Sequence, residues 1–282
     1  MYFADSRRLL GDIPSQTVQL VVTSPPYWTA RDYEHKLQIG YDQTFNEYSD
    51  SLAKVWEESV RTLLPDGKLA VNIGNIYYNE NGEKRKTTAN LINLVWNQLS
   101  SFDDLRFMGT IYWEKSTSRN RKVLMGSYPY PSSFLISTAL EAIFVFRKIG
   151  YRKVAHEIKE LSRITKDEFR VYRQPLWRIN GVHNGHPAAF PCELPKRLIK
   201  MYSFVGDTIL DPFLGSGTTL IEAAKQGRNS MGVEVNRKFL KIMKKLIYRD
   251  LESPSNSTIA FYDARKRLIC KFVGGRIKNG RN

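Results

Sequence analysis

The chain has 282 residues, 42% of them hydrophobic, enough for one large core or two small ones, and nothing in it requires several domains. Its 43 Lys and Arg against 28 Asp and Glu leave a formal charge of +15, a field that attracts polyanions and makes nucleic acid the first partner to consider. No apolar stretch approaches the roughly 18 to 20 residues that span a bilayer and the N-terminus lacks the order of a secretory signal. The two distant cysteines, Cys192 and Cys270, offer neither a disulfide framework nor a thiolate metal site, so the expectation is a soluble protein of the reducing cytoplasm.

In chain order, short apolar runs bounded by turn residues predict buried strands at 18–22, 68–73, 142–146, 207–210 and 230–235. Between them, helical periodicity appears over Leu52, Val55, Trp56, Ser59, Val60, Leu63 and Leu64, closed by Pro65-Asp66-Gly67. Further helices fit 88–99, 194–203, 218–226 and 236–250. This alternation predicts an α/β fold with a doubly wound, mostly parallel sheet covered on both faces. One region breaks the rhythm: 147–178 carries ten Lys or Arg against four Asp or Glu, interleaved with aromatics, and reads as an insertion. The segment YFADSRRLL at 2–10 is echoed by AFYDARKRL at 260–268, too short a match to make a repeat architecture, and KFVGGRIKNGRN at the C-terminus reads as a mobile basic tail.

Two stretches carry chemistry. In DTILDPFLGSGTTLIEAAKQG a buried strand ends at Asp211 and a glycine-rich turn opens a helix, letting a ligand approach the backbone and meet exposed N–H groups. A phosphate-cradling NTPase loop would need a Lys before Thr218-Thr219, and a dinucleotide fingerprint would need Gly at Leu220. Neither motif is present, so the turn predicts a cofactor crevice of another kind, lined by Asp211, Phe213, Gly215, Gly217 and Thr218. Glu234 ends the next strand about twenty residues on, where a ribose with two hydroxyls wants an acceptor. The other stretch is VQLVVTSPPYW at 18–28, a strand that stops in two prolines and two aromatics.

LDPFLGSGTT with GVEVN, together with VVTSPPYW, IYWEKS and HPAAFPCELPKRLI, resembles the amino-directed DNA methyltransferases that use S-adenosylmethionine, over nearly the whole chain. Because the proline tetrapeptide precedes the glycine turn, the order is similar to the family's beta group, whose motifs are permuted. The resemblance implies a seven-stranded doubly wound sheet with one antiparallel strand. It also implies that Asp5 accepts from the adenine amine of the cofactor, with an N-cap on the following helix as the alternative and Asp263 as a rival, and that Phe190 walls the cofactor site. Ser24 and Pro25 would accept from the target amine, Pro26 would stiffen the loop and Tyr27 would stack on a flipped base. The resemblance further implies, from Ser24 at the first position of the tetrapeptide, N4 of cytosine in duplex DNA over N6 of adenine. The competing classes are a non-catalytic nucleic-acid-binding module and a methyltransferase acting on RNA or a protein amide.

DNA contacts are expected from Lys84 to Lys86, from Lys115, Arg119, Arg121 and Lys122, from the insertion, with Arg173 and Gln174 as readers, and from the tail beginning at Arg265. A companion restriction endonuclease would complete such a system. No metal is expected: the four histidines, His35, His156, His183 and His186, offer one His-x-x-His pair without a carboxylate companion. The expected organisation is a catalytic half at 1–146, a recognition insertion at 147–182, a cofactor half of the same domain at 183–264 and the tail at 265–282.

Overall fold

The computed structural model describes residues 1–80, 86–115, 130–131, 134–181, 190–251, 258–273 and 276–279, with backbone alone at 258 and from 270 onward. The elements run β1 (Tyr2–Phe3), α1 (Ser6–Leu9), β2 (Val18–Thr23), α2 (Phe45–Thr62), β3 (Leu63–Gly74), β4 (Ile76–Asn79), β5 (Lys86–Ala89), α3 (Leu91–Ser100), β6 (Leu105–Glu114) and β7 (Leu140–Lys148). There follow α4 (His156–Leu161), α5 (Lys166–Tyr172), β8 (Leu176–Arg178), α6 (Glu193–Tyr202), β9 (Thr208–Asp211), α7 (Thr218–Lys225), β10 (Asn229–Glu234), α8 (Leu240–Asp250), β11 (Thr258–Asp263), β12 (Leu268–Val273) and β13 (Arg276–Asn279).

Eleven strands form one sheet in the order β13-β12-β11-β1-β10-β9-β2-β3-β7-β6-β8. Pairing is parallel from β11 through β3, and β7 is antiparallel to both β3 and β6. The inner seven strands, β1 to β6 in that order, match the expected count, and β8 and β11–β13 extend the sheet at its two edges. Central strands buried on both faces explain the near-continuous apolar runs. In β2, Val21 packs into a core with Leu52, Val55, Trp56, Leu91 and Val95 of α2 and α3, while Leu20 and Val22 pack against Leu194, Leu198 and Ile199 of α6 on the opposite face.

Local chemistry sets the boundaries. Thr44 and Glu47 form a reciprocal capping box, so α2 starts seven residues before the first periodic position read from the sequence. Val18 pairs with Leu63 but Leu20 pairs with Lys68, so the Pro65-Asp66-Gly67 turn bulges out of β3 instead of preceding it. Asp66 takes φ +62, and a Cβ at Gly67 would come within 2.8 Å of the Leu64 carbonyl oxygen.

The expectation for the C-terminus fails. The C-terminal segment is no mobile tail in its described part, because β12 and β13 add antiparallel strands to β11, each paired with the strand before it in sequence. The echo also has a structural counterpart, with β1 and β11 side by side and Tyr2 stacked on Tyr262 at 5.3 Å. The basic insertion is packed into the same domain. Arg152 bonds Gln19 and Asp207 at the amino ends of β2 and β9, Lys200 of α6 pairs with Glu168 of α5, and Tyr172 and Trp177 are buried. Much of its charge is internally matched, through Arg163–Glu160, Arg170–Asp167 and Arg178–Glu114.

Candidate active site at the carboxyl ends of the central strands

The chain reverses its strand order around β9 and β2, and ligands in open α/β sheets bind at such a switch point, beyond the carboxyl ends of the strands. A cavity of about 370 Å³ lies there. Its walls bring together Asp5 after β1, Ser24 to Tyr27 after β2, Asn72 on β3, Lys115 after β6, Glu141 on β7, Asp211 to Ser216 after β9 and Glu234 at the end of β10. Residues 190 and more than 200 apart in sequence therefore share one space.

At the β9 end, Gly215 has φ +56 and Gly217 φ +86, which permits the tight entry into α7. The Gly215 N–H donates to Glu234 Oε2 and the Asn236 N–H to Oε1, both at 2.8 Å. Burial pushes the Glu234 carboxyl up to about 7, and the nearby Asp211 charge acts in the same direction. Phe213, Phe190 and Thr218 also face the cavity. Gly217 does not: a Cβ there would meet Met1 and Met243 side chains at 3.3 and 3.5 Å, so its role is conformational and the expectation that it lines the cofactor is corrected.

Asp211 lines the same cavity. Its buried carboxylate accepts from Thr23 Oγ1 at 2.7 Å, Thr219 Oγ1 at 2.7 Å and the Phe213 N–H at 3.0 Å. Those bonds fasten β2, the glycine turn and α7 together and make Asp211 a strut between the two functional loops. Burial lifts its carboxyl to about 6. Asp5 caps α1 through the Arg7 N–H, as the alternative reading expects, lines the cavity, and holds the Arg7 guanidinium at 2.8 Å. Asp263 anchors its own turn through Arg265 and Arg267 and lines no part of this cavity.

At the β2 end, the Tyr48 hydroxyl donates to the Pro26 carbonyl at 2.8 Å and holds the proline loop, while Trp28 packs edge-on against Phe45 and Tyr78 outside the cavity. Tyr27 lines the cavity, but its hydroxyl is tied down: it donates to Glu141 Oε2 at 2.9 Å and accepts from Asn72 Nδ2 at 2.9 Å and Ser24 Oγ at 3.3 Å. Burial foremost, and Glu141 beside it, raise the Tyr27 phenol well above its ordinary value, so it stays a neutral donor.

Sequence reasoning missed Asn72 and Glu141 on β3 and β7; the available signals were a polar residue interrupting the run at 68–73 and an acid immediately before the run at 142–146. Lys115, expected on DNA phosphate, is instead ion-paired with Glu141 and lies 4.9 Å over the Trp113 ring. Arg173 and Gln174 are not brought to the cavity: the guanidinium lies 5.6 Å from the Phe169 ring and Gln174 Nε2 donates to the Arg170 carbonyl. Lys84, Arg85, Arg119, Arg121, Lys122, His183 and His186 lie outside the described residues. Among those described, no group of three or more His, Cys, Asp or Glu could hold a metal, and no helix is long and apolar enough to cross a membrane.

Comparison with known proteins agrees with this geometry. A family model described as DNA methylase matches residues 18–245. The type II methyltransferase M.MjaI of Methanocaldococcus jannaschii is 32% identical over 278 residues, covering 87% of this chain and 89% of that one. A putative DNA modification methylase of Thermus thermophilus, crystallised with S-adenosyl-L-methionine, superposes with a TM-score of 0.74 at 32% identity over 93% of this chain and 96% of that one. The cytosine-N4-specific PvuII DNA methyltransferase shares the fold, with a TM-score of 0.61 at 21% identity over 86% and 84% of the two chains. A strut of buried hydrogen bonds joining a glycine turn to a Ser-Pro-Pro-Tyr loop, and a family match across both, place this chain in the N6_N4_Mtase family of DNA methylases.

Proposed function

We propose that the protein methylates the N4 amine of cytosine in duplex DNA at a short recognition sequence, using S-adenosylmethionine, after flipping the base out of the helix. The observation that carries this reading is the single cavity with Glu234, Asp5 and the glycine turn at one end and Ser24, Pro25 and Tyr27 at the other. We take the order of these motifs along the chain as the permuted arrangement of the beta group; β2 and β9 are neighbours in the sheet, so their order in sequence matters little to the site.

The donor set fits the cofactor. Each Glu234 oxygen already accepts one backbone N–H and keeps lone-pair capacity for a ribose hydroxyl. Asp5 would accept from the adenine amine, Phe190 and Phe213 supply apolar walls, and the start of α7 suits the negative end of the amino-acid moiety. Bound there, S-adenosylmethionine supplies an electrophilic methyl group on a positively charged sulfur.

The exocyclic amine is a poor nucleophile because its lone pair is delocalised into the ring. Ser24 Oγ and the Pro25 carbonyl accept its hydrogens, favouring a pyramidal nitrogen whose lone pair is free to attack. Two prolines leave the loop without competing N–H donors, and Tyr48 fixes its outgoing carbonyl. The Tyr27 ring offers the flipped base a stacking face. Type II methyltransferases are the relatives found, and a companion endonuclease cutting the same sequence belongs to this proposal. Duplex DNA incubated with tritiated cofactor, digested and resolved as nucleosides tests the reading: label in N4-methylcytosine is expected. Label in N6-methyladenine would move the substrate to adenine, and no label in DNA would refute the function.

A further inference from the structure

A serine hydroxyl can accept a hydrogen bond or donate one, and bases with an amine or a carbonyl at the same ring position demand opposite behaviour. The amines of cytosine and adenine need an acceptor; the carbonyls of uracil and hypoxanthine, their deaminated forms, need a donor. The surroundings of Ser24 decide which way its hydrogen points. Glu141, 4% exposed and ion-paired with Lys115, is an acceptor-only carboxylate. Its Oε2 takes the single Tyr27 hydroxyl hydrogen at 2.9 Å, so the Tyr27 oxygen has only lone pairs to offer, and the Ser24 hydrogen goes to it at 3.3 Å. Asn72 Nδ2, with two hydrogens to donate, lies 2.6 Å from Glu141, 2.9 Å from Tyr27 and 3.3 Å from Ser24, and a donor facing both hydroxyl oxygens opposes their reversal.

We propose that Glu141 is a specificity-determining positioning residue: by anchoring the chain from Ser24 through Tyr27, it commits the only Ser24 hydrogen to the protein and leaves that oxygen an acceptor toward the base. The pocket thereby takes bases with an exocyclic amine and rejects those with a carbonyl in its place. The inference rests on the proposal that Ser24 faces the target base.

The test is a binding ratio. Plasmid DNA methylated by the enzyme is sequenced to map its site, and two duplexes are made that differ only in the target base, the amine form and its deaminated counterpart. The target stands opposite an abasic position so that pairing strength does not enter. Kd values are measured with S-adenosylhomocysteine present for the unmodified protein, Glu141→Met and Tyr27→Phe, the last keeping the stacking ring. A ratio taken on one preparation is insensitive to partial unfolding. The unmodified protein is expected to prefer the amine duplex at least about 5- to 150-fold, as mispairing one buried polar group implies, and both variants should lower the ratio several-fold, leaving the part that the acceptor-only Pro25 carbonyl imposes. An undiminished ratio in the variants, or no preference in the unmodified protein, overturns the proposal. If the unmodified protein methylates no DNA at all, the functional reading falls and takes this proposal with it.

Discussion

Lowering the pH from 8 to 6 is expected to weaken cofactor binding about tenfold through Glu234. Its carboxyl lies near 7 in the free protein because burial disfavours the charge, with Asp211 adding repulsion. Oε2 and Oε1 each hold one backbone N–H at 2.8 Å, so under the proposed cofactor role both remaining acceptor positions would serve the two ribose hydroxyls only while the group is ionised. Affinity is therefore nearly full about one unit above 7 and falls as the pH drops through it; one unit below, the ionised fraction is about one tenth. Tyr33, pushed up to about 12 by burial and by Glu234, does not titrate in this range. Fold stability runs the opposite way. A carboxyl raised from 4.5 to about 7 contributes stability that is fully present below the unfolded value and lost as the pH rises through 7, of order 3 kcal/mol. Glu234→Gln sets an amide N–H₂ against one of the two backbone donors, which should cost about 1.5 to 3 kcal/mol in binding, or roughly 10- to 150-fold, and flatten the pH profile. Calorimetry at several pH values, in buffers of different ionisation enthalpy, reads affinity and the proton released on binding. Equal affinity at pH 6 and 8 without proton release, or a Glu234→Gln protein that binds like its parent, would refute the assignment.

Three other outcomes follow from the site. Ser24→Ala should lower turnover by about 10² to 10³ while cofactor and DNA affinity stay within a few-fold, because the lost bond is strongest in the transition state; single-turnover methylation with matched binding titrations checks it. Gly217→Val forces a β-branched residue to φ +86 and brings its Cβ to 3.3 Å from Met1, so thermal unfolding should show a loss of about 2 kcal/mol or more. Any fall in cofactor affinity should track that loss, since Gly217 does not face the cavity. Arg173→Ala should weaken DNA binding across sequences and reduce the salt slope by about one unit in fluorescence anisotropy, the loss of one phosphate contact from an exposed guanidinium; an unchanged slope would remove Arg173 from the DNA interface.

Much of this protein is legible in one dimension because its signals are local. Apolar runs such as VQLVV and SMGVEV mark strands buried on both faces, and the glycine turn after Asp211 announces a cofactor crevice through backbone geometry that any sheet of this class would need. Ser24 to Tyr27 and Glu234 stand out because polar or rigid residues end those runs at the level where ligands bind. What the sequence could not supply was which polar residues face one another. Asn72 and Glu141 lie 69 positions apart and meet at 2.6 Å only because β3 and β7 are antiparallel neighbours. Lys115 reads as one more basic residue until the ends of β6 and β7 bring it onto Glu141. The same holds for charge: the basic insertion invites a DNA-binding role by composition, yet Arg152, Arg163, Arg170 and Arg178 find carboxylates of the fold itself. Composition counts charges; Arg163 and Arg170 meet acids three residues away in sequence, whereas Arg152 and Arg178 reach Asp207 and Glu114 only through strand order and register, which are set by non-local pairing.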